Sequence, residues 1–100
     1  MKTIWKYPIQ EEAIFEMPKG AEILSVQVQD GLPTLWALVD PDAPKERRGF
    51  LVVGTGWKLS HEWFSQARIF IGTVQLGGFV WHIFEGSDVA KNSPSLLGDG

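Results

Sequence analysis

Hydrophobic and polar positions alternate in short runs along this chain, which is the signature of half-buried strands. Ile4 to Ile9 alternates, and Pro8 places that run at a sheet edge or a strand end, because proline donates no ladder hydrogen bond. Ala13, Phe15 and Met17 alternate with Ile14 and Glu16, and Pro18-Lys19-Gly20 then reads as a turn. Ile23 to Gln29 is the cleanest strand: Leu24, Val26 and Val28 are expected on one face and Ser25, Gln27 and Gln29 on the other. Asp30-Gly31 signals a hairpin that Leu32-Pro33 is expected to lengthen. Thr34 to Val39 is apolar on both faces and reads as a central strand.

Asp40-Pro41-Asp42-Ala43-Pro44 breaks the sheet, with two prolines and two turn-forming aspartates. The charged run Lys45-Glu46-Arg47-Arg48 is expected to complete this loop, before a strand over Phe50 to Val53 and a turn at Gly54-Thr55-Gly56. Ser60 to Ala67 reads as a short helix with Ser60 as its N-cap. Arg68 to Leu76, Gly77-Gly78 and Phe79 to Glu85 predict a final hairpin. Beyond Gly86 the pattern is lost, which divides the chain into one β-rich domain over 1–86 and a flexible tail over 87–100. The predicted fold is mostly β, a small antiparallel β-sandwich or open barrel with one short helix.

Composition narrows the chemistry. With 100 residues, 44% of them hydrophobic and 21% charged, the chain is expected to fold as a single globular domain. A net charge of −3 argues against covering extended nucleic acid, which needs clustered Lys and Arg. The absence of cysteine excludes disulfides, thiolate catalysis and cysteine-based zinc sites. Two histidines give little basis for a metal centre, and no apolar run is long enough for a membrane helix or a secretory leader. Five tryptophans are far more than a chain this short ordinarily carries, and Trp is seldom fully buried, so some are expected at the surface.

Catalytic patterns fail on inspection. His61-Glu62 lacks the second histidine of a zinc-protease helix, since position 65 is Ser. Ser60 and Ser65 lack a nucleophile-elbow context. Gly54-Thr55-Gly56 lacks the Gly-Lys-Ser/Thr of a phosphate loop, although Lys58 stands close to it. Asp40 and Asp42 lack the downstream glutamate of a calcium loop. His82, between apolar neighbours, reads as half-buried and hydrogen-bonded, with ligand contact as the alternative. The candidate contact residues are therefore Trp36, Trp57, Trp63 and His82, together with Arg47 and Arg48, basic side chains in an acidic protein. No catalytic residue, metal or cofactor is expected.

Longer stretches are more specific. Lys2-Thr3-Ile4-Trp5-Lys6-Tyr7-Pro8, Met17-Pro18-Lys19-Gly20-Ala21, Leu24-Ser25-Val26-Gln27, Leu35-Trp36-Ala37-Leu38-Val39-Asp40-Pro41 and Ile71-Gly72-Thr73-Val74-Gln75-Leu76-Gly77-Gly78 combine with Gly54-Thr55-Gly56. Over roughly residues 2 to 85 the combination resembles a family of short, uncharacterised bacteriophage and prophage proteins. That family often follows its Gly-Thr-Gly with His-Pro where this chain has Trp57-Lys58, so no histidine role carries over there. The resemblance implies a viral context in the host cytoplasm and no particular mechanism. Phage accessory proteins without an enzyme motif often antagonise host defence by binding. The expected function is accordingly a non-enzymatic protein that binds a host protein, as a homo-oligomer. The alternatives are a sponge that sequesters a signalling nucleotide and a small virion or assembly component.

Overall fold

The computed structural model describes residues 1–10 and 13–86; the tail expected over 87–100 lies outside the described residues. Two antiparallel sheets face each other as an open sandwich. The first has the order β1-β4-β3, with β1 at Thr3–Pro8, β3 at Glu22–Gln29 and β4 at Leu32–Val39. The second has the order β2-β5-β7-β6, with β2 at Ile14–Pro18, β5 at Lys45–Gly54, β6 at Ala67–Leu76 and β7 at Phe79–Gly86. A single turn and a half of helix, α1 at His61–Gln66, lies between β5 and β6 in the chain. The Ser60 hydroxyl accepts from the Trp63 N–H at 3.1 Å, the N-cap that the sequence indicates. No helix among the described residues is long and apolar enough to cross a membrane.

Hairpin geometry follows from local chemistry. Asp30 and Gly31 both take positive φ, as do Gly77 and Gly78. Each pair makes a two-residue turn whose twist matches that of its flanking strands. The register brings Gln29 opposite Leu32 and Leu76 opposite Phe79, so Leu32 begins β4 rather than lengthening the loop. Strand β4 is central, as its two-faced apolar pattern requires, and Pro8 ends the edge strand β1.

Leu35, Ala37 and Val39 from β4 meet Phe50, Val74 and Ile83 from the second sheet in the main core, with Met17 and Val26. A second cluster covers the outer face of the second sheet. Leu51 and Val53, one position out of phase with Phe50, pack with Trp63 of α1, Leu59 and Phe84. β5 is thus apolar on both faces because both are covered.

Two boundaries differ from the sequence reading. Lys45 to Arg48 belong to β5, not to the loop, which ends at Pro44. β2 sets this boundary: Glu16 stands opposite Arg47 and Pro18 opposite Lys45, so the charged run supplies the ladder partners of β2. In β3 a bulge between Ile23 and Ser25 leaves Leu24 without a partner on β4. One inserted residue breaks the two-residue period. Val26 is buried as expected, whereas Leu24 and Val28 are exposed.

Strands β3 and β6, edges of opposite sheets, close one side of the sandwich without a shared ladder. They meet most tightly where Gly72 faces Val26: a Cβ on Gly72 would lie 2.6 Å from the Val26 Cγ1. The sequence feature behind this contact is a glycine in mid-strand.

Candidate functional site

At the end of the sandwich bearing the two hairpins, the sheets part around an apolar cleft of about 340 Å³. Ile9 and Pro33 line its first-sheet side, Val52 and Leu76 its second-sheet side, and Trp57 and Trp81 meet there. Each tryptophan is placed by backbone chemistry. Trp81 points inward because it alternates with Val80 and His82 on β7, in phase with the core residue Ile83. Trp57 arrives through the turn after β5, where its N–H donates to the Gly54 carbonyl at 3.2 Å. Its indole rests on Gly54, whose missing Cβ would come within 2.8 Å of the ring nitrogen.

The two indoles meet edge to face, with centroids 5.5 Å apart and planes at 89°. Phe79 extends the group, 5.9 Å from Trp81, and is itself exposed. Among the described residues that line the cleft none is charged, and Gln10 is the polar member. Such a set of side chains suits an apolar or aromatic group.

The remaining sequence candidates are dispersed. Trp36 is half-buried on the face of β4 opposite Leu35 and Ala37, outside the sandwich. Trp63 is a correction: it is buried at 7% exposure in the cluster under α1, edge-on to Phe84 at 5.1 Å, and is not available as a contact residue. Packing on Leu51 and Val53 uses it instead.

Arg47 and Arg48 separate because neighbouring strand residues point to opposite faces. Arg47 is exposed, with Glu16 3.8 Å away. Arg48 lies in the seam between the sheets, where it donates to both carboxylate oxygens of Glu85, at 2.7 and 2.8 Å, and to the Ala21 carbonyl. The hydrogen bonds to Glu85 hold the guanidinium still more firmly protonated, against the opposing effect of burial. The expectation that both arginines project from a stiff loop is therefore corrected for Arg48. Asp40 and Pro44 do form a compact turn: the Asp42 N–H donates to the Asp40 carboxylate at 3.0 Å. Both arginines stand toward the far end of β5. At about 3.3 Å per residue, the run from Arg48 to Gly54 covers roughly 20 Å.

His82 is half-buried and held at both nitrogens, by the Thr55 hydroxyl at Nε2 (2.6 Å) and the Thr73 hydroxyl at Nδ1 (2.9 Å). This brace ties the turn at Thr55 to β6 and β7, and so supports the mount of Trp57. A hydroxyl on an imidazole is the first half of a nucleophile–base pair, but here a second hydroxyl, not a carboxylate, orients the ring. Near the Arg48 end the Tyr7 hydroxyl is buried without a hydrogen-bond partner among the described residues. Burial raises its pKa above the ordinary value of 10, and the Arg48 charge pulls it back in part.

Trp81 is the site residue that sequence reasoning missed. Its signal was present in the shared face of Phe79, Trp81 and Ile83, but the alternation does not say which face is inside or where the opposite sheet ends.

No curated protein and no solved structure matches the chain. The model of a domain of unknown function, DUF7352, matches residues 1–93, and the chain belongs to that family.

Proposed function

We propose that this protein is a non-catalytic binding module that engages a host protein through the Trp57–Trp81 cleft, and thereby antagonises a host process during phage infection. The observation that carries the reading is the cleft itself: two indoles and an exposed Phe79 at an opening of about 340 Å³ whose described lining is mostly apolar. Aromatic side chains grouped around an apolar pocket are the usual composition of an interface hot spot. The partner group it fits is an apolar or aromatic side chain presented by another protein. The phage context rests on the sequence resemblance, and self-association in the host cytoplasm belongs to the same proposal.

A nucleotide ligand is less well supported. It would need a cation near the stacked base; Arg48 is held by Glu85 and both arginines sit toward the other end of β5, so the exposed Lys58 beside Trp57 would have to supply that charge in their place. The test is a phage-protection assay on the full chain. Trp57→Ala is expected to abolish protection while leaving the protein folded, and Arg47→Ala is expected to retain it. Protection lost with Arg47→Ala and kept with Trp57→Ala would overturn the reading and move the contact to the opposite end.

A further inference from the structure

The end of the sandwich that bears the aromatic cleft also bears a side chain of the kind that fills it. Phe79 shares the inner face of β7 with Trp81 and Ile83, but stands beside the Gly77-Gly78 turn and is 64% exposed. Its ring leans on Trp81 at 5.9 Å without being part of the cleft lining. Nearby, Trp57 is 49% exposed, and Val28, paired with Pro33 of the cleft wall, is 38% exposed. An apolar knob and an apolar hole thus lie side by side at one end of one chain, a grouping that marks a contact surface.

Knob and hole divide between the two sheets. Phe79 belongs to the second sheet, whereas Leu32 and Pro33 form the first-sheet wall of the cleft. Charge divides in the same way. Asp30, at the tip of the β3–β4 hairpin, is exposed on the first-sheet side. Lys58, in the segment that leaves β5 of the second sheet, is exposed next to Trp57. Neither belongs to an ion pair among the described residues. A two-fold axis across this end, parallel to the sheets, lays the first-sheet side of one copy over the second-sheet side of the other. It brings Phe79 against the facing wall with Leu32, and Asp30 toward Lys58, and each contact occurs twice. The surface is therefore complementary to itself in both shape and charge.

We propose that this end is the protein's self-contact: a second copy seats its Phe79 in the Trp57–Trp81 cleft, and Asp30 of each copy faces Lys58 of the other. The inference rests on the reading of the cleft as a binding site and adds its regulation. A second copy and a partner's side chain compete for one opening, so the dimer shields the cleft and the monomer presents it.

Sedimentation of the full chain at hundreds of micromolar is expected to show a dimer, and free indole is expected to dissociate it. Phe79→Ala is expected to be monomeric, with Trp57 and Trp81 ring N–H signals that still shift saturably on adding indole. Lys58→Glu places like charges together at both contacts and is expected to weaken the dimer by about tenfold. A wild-type chain that stays monomeric overturns the proposal, and so does a dimer that survives both Phe79→Ala and indole. In either case, indole shifts that persist at Trp57 and Trp81 leave the cleft standing as a binding site. Their loss in the wild-type chain would instead remove that site, and the self-contact with it.

Discussion

Arg48 and Glu85 form a two-pronged ion pair across neighbouring strands of the second sheet, with both N–H···O distances under 2.9 Å and side chains only 16% and 17% exposed. The third hydrogen bond of Arg48, to the Ala21 carbonyl, reaches the segment leading into β3. One guanidinium thus ties the seam between the sheets. Arg47, its neighbour in sequence, faces solvent and approaches Glu16 at 3.8 Å with both side chains more than half exposed.

The two arginines should therefore differ sharply in what they contribute to stability. Arg48→Ala strands a sheltered carboxylate and a carbonyl, and is expected to cost about 3 kcal/mol. Arg47→Ala removes a solvent-screened pair and is expected to change stability by less than about 0.5 kcal/mol. Denaturant unfolding of the two single variants checks this. Equal midpoints would mean that the Glu85 pair does not hold the seam.

Tyr7 offers a substitution expected to stabilise. Its ring packs on Phe15 at 5.3 Å, but its buried hydroxyl has no partner among the described residues. Tyr7→Phe keeps the ring and removes the unsatisfied group, for a gain of about 1 kcal/mol, or a melting point several degrees higher in a domain this size.

The same residue sets a pH dependence. The phenol of the folded protein titrates above its ordinary value of 10, so the folded state keeps a proton that the unfolded state gives up. Its contribution is fully present below about pH 10 and is lost as pH rises through the folded value. Wild type is expected to lose more stability than Tyr7→Phe on that alkaline side. Parallel curves for the two proteins would contradict the assignment.

Gly72 tests the tight end of the seam. Gly72→Ala would drive a Cβ against Val26, a branched side chain with little freedom to turn aside. A loss of about 1–3 kcal/mol is expected from the overpacking. Val26→Ala in the same chain should recover part of it, and a double-mutant cycle measures the coupling. Additive losses would show that the strands do not meet there.

Much of the architecture is legible in the sequence, because a strand with one covered face must alternate and a two-residue turn must contain residues that accept positive φ. The Asp30-Gly31 and Gly77-Gly78 turns, the central position of β4 and the Ser60 cap all follow from such local constraints. What escaped depends on partners distant in sequence. Nothing local to Leu24 signals a bulge; it is visible only against Trp36 and Ala37 on β4. The charge of Lys45 to Arg48 suggests a loop until β2 is seen to need that stretch as its ladder partner. Trp63 reads from the sequence as a candidate contact residue, because alternation does not show that α1 folds onto the outer face of the second sheet. Of the candidate site, Trp57 was legible as an aromatic after a glycine turn, whereas its meeting with Trp81 depends on how the two sheets diverge.

The most direct test of the cleft is a titration of the nitrogen-15-labelled full chain with free indole, the simplest stand-in for a partner's aromatic side chain, read at the five tryptophan ring N–H signals. The indole signals of Trp57 and Trp81 are expected to shift together and saturably, while those of Trp5, Trp36 and Trp63 stay in place. Shifts confined to the other three rings, or no saturable shift at Trp57 and Trp81, would contradict the assignment of this cleft as the binding site.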